Sequence, residues 1–109
     1  MIKDTFKVFI AQPMHGLSTE EIVNIRNKTL EYIKDHYKSI IKDKEVELLD
    51  NLNHKLPKGS HRIKYLAMSI ALLPDADLIY FVKGWRNAAG CRAEYEICKA
   101  YGLTYDCED

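Results

Sequence analysis

Residues 78–101 read LIYFVKGWRNAAGCRAEYEICKAY, and this stretch decides the fold. Leu78 to Val82 is an unbroken apolar run of β-branched and aromatic side chains. It is too short for a helix, and Asp75-Ala76-Asp77 on one side and Lys83-Gly84 on the other bound it. Such a run reads as a strand buried on both faces, the kind found in parallel sheets with helices on each side. Lys83 to Asn87 then forms a loop, and a helix is expected from about Ala88 to Tyr101, with Gly102 as the residue that ends it. On a wheel of about 100° per residue, Ala89, Ala93, Ile97, Ala100 and Tyr101 define the apolar arc of this helix. Glu94 falls inside one border of that arc, whereas Glu96 lies outside it with Arg92 and Lys99.

The rest of the chain repeats the alternation. Lys7 to Ala11 reads as a first strand, stopped by Gln12-Pro13 because proline cannot donate to a ladder. Met14 to Leu17 is a loop, and Ser18 with Glu21 makes a capping box for a helix from Thr19 to about Tyr37. Ile22, Ile25, Thr29, Tyr32, Ile33 and Ile40 are its expected buried face. Val46 to Leu49 is the second strand, ending at Asp50, and residues 51–60 form a loop. Ser60 is the expected cap of a helix from His61 to Leu73, with an apolar stripe of Ile63, Leu66, Ala67, Ile70 and Leu73. Pro74 stops it, Asp75 and Asp77 fix the next turn, and Leu103 to Cys107 reads as a last short strand. Strands alternating with crossover helices predict one α/β domain over residues 1–109. Its architecture is a three-layer sandwich around a parallel sheet of four to five strands.

Composition narrows the function. Sixteen basic residues balance sixteen acidic ones. No concentrated basic surface is available to displace counterions, which argues against nucleic acid as a partner. The N-terminal residues lack the apolar run of a signal peptide, and no stretch approaches a membrane span, so we expect no membrane association and a cytoplasmic location. Cys91, Cys98 and Cys107 form no C-x-x-C pair, and the first two stand about two helical turns apart, too far for a bridge. Free thiols in a reducing compartment are expected. His36, His54 and His61 show no ligand spacing, so no metal site is expected. A domain this small exposes much of its surface, and a homodimer or higher homo-oligomer is the default.

Ligands of open α/β sheets bind beyond the carboxyl ends of the strands, which here means residues 12–19, 50–61 and 83–94. Glu94 is the sharpest candidate in them. A carboxylate partly buried near a helix start is held ionised by the helix dipole and is a competent nucleophile or base. The plainer reading is a half-exposed glutamate that stabilises the helix. Gly84 and Gly90 allow close backbone approach, and Trp85 is placed either to stack on a nucleobase or to pack over the sheet edge. The loop Gln12-Pro13-Met14-His15-Gly16 joins a strand to a capped helix and can receive an anion, although it is no P-loop. His15 is either an acid–base group or an exposed loop residue. Asp50 qualifies by position alone, and Tyr95 is expected on the outward face of its helix, marking a subunit contact.

The ordered set VFIAQPMHG (8–16), SIALLPDADLIYFVKGW (69–85) and AAGCRAEYEICKAYG (88–102) resembles the nucleoside 2-deoxyribosyltransferase-like superfamily, and within it a small bacterial and phage branch. The resemblance covers nearly the whole chain. It implies a flavodoxin-like sheet, an oligomer, and cleavage or transfer of the N-glycosidic bond of a (deoxy)nucleoside or its monophosphate, without a cofactor. Glu94 then matches the glutamate that attacks the anomeric carbon, as in retaining glycosidases, and Gly90 matches the glycine before it. Gln12, Pro13, Met14 and Gly16 would face the sugar or 5′ group, and Gly84, Trp85, Asn87 and Gly90 would shape the pocket. The sequence also departs from the pattern. Ala88 stands six residues before Glu94, where the transferases carry an aspartate. Lys83-Gly84-Trp85 follows the central strand, where they carry another. His15, Trp85, Arg86 and Asn87 are the available replacements. Loss of those aspartates also fits a module that binds a nucleotide without turnover.

Overall fold

The computed structural model of the chain describes residues 4–49 and 56–109. Among them run β1 (Thr5–Ala11), α1 (Thr19–His36), α2 (Lys38–Ile41), β2 (Glu45–Leu49), α3 (Arg62–Leu72), β3 (Leu78–Phe81), α4 (Ala89–Tyr101) and β4 (Tyr105–Cys107). Short 3-10 turns cover Leu73–Asp75 and Trp85–Asn87. The four described strands are all parallel and stand in the order β2-β1-β3-β4. This is the flavodoxin-like pattern, in which the first crossover places β2 outside β1 and the next returns to its other side.

The two middle strands explain why the sheet must be covered on both faces. Phe6, Val8 and Ile10 of β1 join Leu78 and Tyr80 of β3 on one face, packed with Ile33 and Ile41. Phe9 and Ala11 join Ile79 and Phe81 on the other, packed with Leu73, Trp85, Cys91 and Cys98. Strand alternation makes these two sets unavoidable. Each fully buried Phe, Ile or Val contributes about 1.5–3 kcal/mol, so neither face can be left to water.

Local chemistry fixes the element ends. Ser18 Oγ accepts from Glu21 N at 3.1 Å, and Glu21 Oε1 accepts from Ser18 N at 3.0 Å. Gly102 ends α4 in the left-handed region at φ 67°. Asp77 Oδ2 accepts from Lys7 N at 2.7 Å and ties the turn before β3 to β1.

The structure departs from the sequence pattern at several helix positions. Ser60 does not cap α3: its hydroxyl donates to Pro57 O, and His61 Nδ1 accepts from Ile63 N at 3.1 Å instead. The buried face of α1 contains Arg26, Thr29 and Ile33, whereas Tyr32 and Ile40 are exposed. The chain breaks into α2 after Tyr37, which rotates the helical phase and buries Ile41 in place of Ile40. On α3, Ile63 and Ala67 are exposed, not buried. Asp50 and His54 lie outside the described residues. No described helix is long and apolar enough to cross a membrane.

Candidate active site

Parallel pairing brings two of the expected loops together. Ala11 lies opposite Phe81 in the β1–β3 register, and Val82 N donates to Ala11 O at 2.9 Å. The residues after each strand therefore leave the sheet side by side. Gly84 turns there at φ 92°, and a Cβ on it would stand 3.5 Å from Pro13 Cγ. The glycine thus serves both a left-handed backbone and a close approach between the loops.

Glu94 is the sixth residue of α4, on the helix that begins beyond β3. The buried stripe of α4 is Cys91, Glu94 and Cys98, one turn apart from each other in succession. Glu94 therefore sits inside the core-facing stripe, with only 5% of its surface exposed, and not at the border of an alanine arc. Ala89, Ala100 and Tyr101 are exposed instead. Cys91 and Cys98 set the inward side of this helix because they outweigh the small alanines in apolar area.

The electrostatics also differ from expectation. Burial pushes the Glu94 carboxyl up to about 7, and no cation among the described residues counters it. Position six lies beyond the first turn, where free backbone amides and the helix dipole favour a charge. Burial also pushes the Cys91 thiol up to about 12 and the Cys98 thiol to about 11, with Glu94 adding to both. All three cysteines are free.

Trp85 offers no open face for a base. Only 4% of it is exposed. Its ring stands 4.4 Å from Tyr95 and 5.4 Å from Phe81, and the Arg86 guanidinium lies 4.8 Å from its centroid. The packing reading holds, and what remains is a buried indole Nε1–H with no hydrogen-bond partner among the described residues. Tyr95 is not an outward-facing residue, because it also packs edge-on against Phe81 and Tyr105.

Gln12 is buried, and its Nε2 donates to Ile22 O at 3.1 Å, which orients the amide. Its Oε1 has no partner among the described residues. Pro13 and Met14 are half-buried, His15 and Gly16 exposed. Asn87 is exposed, and Gly90 is half-buried with Leu66 of α3 nearby. Gln12 belongs to the α1 side of the sheet and Glu94 to the α4 side, so the strand ends separate them.

One feature escaped the sequence. A cleft of about 350 Å³ opens on the α1 face between Lys28, Thr29 and Tyr32 of α1, Tyr80 of β3, and Asp106 and Glu108 at the β4 edge. Tyr37 Oη donates to Asp106 Oδ2 at its rim. It lies across the sheet from Glu94. Only the β2-β1-β3-β4 order sets α1 over this edge, and no local signal encodes it. The described residues hold no cluster of three or more His, Cys, Asp or Glu suited to a metal ion.

Comparison with known proteins agrees with this architecture. A family model described as a domain of unknown function (DUF4406) matches residues 6–105. No curated protein matches the sequence. Among solved structures, a 2-desoxiribosyltransferase from Leishmania mexicana is similar with a TM-score of 0.53 and 15% identity. The match covers 94% of this chain and 63% of that one, so the chain spans less than two thirds of its neighbour's length. At that identity the likeness is one of fold.

Proposed function

This chain belongs to the DUF4406 family, and from that premise we propose that it cleaves or transfers the N-glycosidic bond of a (deoxy)nucleoside or nucleotide, with Glu94 as nucleophile. The observation that carries the reading is the Glu94 carboxylate on the core-facing stripe of α4, 95% buried and with no cation among the described residues to offset that burial. Natural proteins seldom bury an unpaired carboxylate for stability alone, since burial penalises its charged form. Such groups concentrate at functional sites. A fold shared with a deoxyribosyltransferase supplies the reaction class by analogy. We place the chain in the small bacterial and phage branch of that superfamily.

In the proposed reaction, an ionised Glu94 oxygen attacks the anomeric carbon as its bond to the base nitrogen breaks. The bond electrons leave with the base, which takes a proton from a general acid, and His15 on the exposed loop after β1 is assigned that role. A glycosyl ester on Glu94 results. Water or a second base then attacks the same carbon and frees the carboxylate. Gln12, Pro13, Met14 and Gly16 would flank the sugar end, and Gly84, Asn87 and Gly90 would shape the other wall. Trp85 would contribute its indole N–H to a polar atom of the ligand, because its ring faces are already covered. The partner is a small molecule.

The test follows free base by chromatography from deoxynucleosides and their 5′-monophosphates, with wild type and Glu94→Gln. Base release by the wild type and its loss in the variant are expected. Release that survives the substitution removes Glu94 from the chemistry. Thermal stabilisation by a nucleotide without any release would assign the chain as a binding module, the reading that Ala88 and Lys83-Gly84-Trp85 favour in place of the family's aspartates.

A further inference from the structure

Strand alternation at the sheet edge builds the cleft on the α1 face. Tyr80 of β3 pairs with Asp106 of β4, so both side chains stand on the face that α1 covers. Glu108 N donates to Phe81 O at 2.9 Å and continues the ladder. Two residues beyond Asp106, its side chain returns to the same face. Lys28 and Tyr32 of α1 meet this edge across a gap of about 350 Å³, which falls at the small end of sites for organic molecules.

The floor of the cleft holds an unused polar group. Tyr80 is only 4% exposed, yet its hydroxyl makes no hydrogen bond among the described residues. A buried hydroxyl is costly until something pairs with it. Burial, with Tyr32, Glu108 and Asp106 adding, pushes this phenol up to about 12, so it stays neutral and offers its lone pairs. The Tyr32 ring stands 5.9 Å away, tilted by 49°, and is held by stacking on His36. Two aromatic rings thus form a corner that opens into the cleft.

The walls of the cleft are short of positive charge. Asp106 Oδ1 accepts from Cys107 N at 2.8 Å, Asp106 Oδ2 accepts from Tyr37 Oη, and Glu108 Oε1 accepts from Lys83 N at 3.3 Å. These bonds orient both carboxylates without neutralising them. Among the described residues the ion pairs join Lys34 to Glu31, Lys38 to Asp35 and Lys99 to Glu96, and none takes up Asp106, Glu108 or Lys28. Two carboxylates against one exposed lysine leave the cleft net negative.

We propose that this cleft binds a small organic ammonium ion, whose N–H groups bond Tyr80 Oη and the Glu108 carboxylate while its body lies against the Tyr32 and Tyr80 rings. A neutral molecule would leave both carboxylates without a counter-charge, and an anion would be repelled by them. The site lies across the sheet from Glu94 and is independent of any activity there.

Titration of the isotope-labelled full chain, followed by two-dimensional NMR, tests this. Benzylamine and putrescine should each move the Thr29, Cys107 and Glu108 amides saturably, whereas benzyl alcohol and benzoate should not. Glu108→Gln keeps an acceptor for Lys83 N but removes a charge, and should weaken benzylamine binding about tenfold. Glu108 is exposed, so this variant should unfold at the same denaturant midpoint as wild type, which separates lost binding from lost fold. Tyr80→Phe keeps the ring and removes the hydroxyl, and should weaken binding severalfold. Absence of saturable shifts with both amines overturns the proposal. So does equal binding of benzyl alcohol, or benzylamine binding that Glu108→Gln leaves unchanged.

Discussion

Glu94 and Cys98 face the same core from successive turns of α4, where burial raises the Cys98 thiol and the Glu94 carboxyl adds to it. A carboxyl that loses water is destabilising in its charged form unless a cation replaces it, and no described residue supplies one to Glu94. The relationship makes Glu94 measurable apart from any substrate.

Glu94 carries a linkage between pH and stability. Its carboxyl titrates near 7 in the folded chain and near 4.5 when unfolded. Between these values the folded state holds a proton that the unfolded state has released, so stability falls as pH rises through that window. The full penalty is on the order of 3 kcal/mol above pH 7. Glu94→Gln should therefore melt higher than wild type at pH 8, with the gain vanishing near pH 4. Equal melting temperatures at both pH values would contradict the desolvated carboxyl.

The same titration sets a kinetic profile. The attacking form is the ionised one, so kcat/KM for base release should rise with pH through about 7 and level above it. A rate that falls through that range would assign Glu94 the role of acid.

Gly84 holds a left-handed backbone against Pro13. Gly84→Ala should cost about 1 kcal/mol from φ strain, read as a shift in the urea midpoint. Gly90→Ala meets only ordinary contact with Leu66 Cδ1 at 3.8 Å and lies inside a helix, so it should be neutral or stabilising by up to about 1 kcal/mol. Reversal of this order would show that Gly90 has the tighter backbone requirement.

The capping box at Ser18 and Glu21 anchors the start of α1 beside the first loop. Ser18→Ala should destabilise by about 1 kcal/mol. If no loss appears in denaturant unfolding, tertiary packing alone holds that helix end.

Thiol accessibility separates the cysteines. Cys91 and Cys98 are buried, with thiols pushed up to about 12 and about 11, and Cys107 is half-buried. A disulfide reagent at neutral pH should label Cys107 first in native protein, and all three only after unfolding. Fast native labelling of Cys98 would mean that α4 opens readily.

Local patterns determined most of the fold. The apolar runs at Val8-Phe9-Ile10 and Leu78-Ile79-Tyr80-Phe81 can only be double-sided strands, and Ser18 with Glu21, Pro74 and Gly102 set helix ends through interactions a few residues long. Glu94 stood out for the same reason, as a charge within a helical apolar period. Tertiary structure decided what depends on neighbours far along the chain. It turned α4 so that Cys91, Glu94 and Cys98 face inward, and covered Trp85 with Tyr95. It also set Pro13 against Gly84, and left Ile63 and Ala67 of α3 facing water. A helix's period is written in its own residues, but which side of it meets the sheet depends on the shape of the surface it lands on. That surface exists only once β1 and β3 have paired.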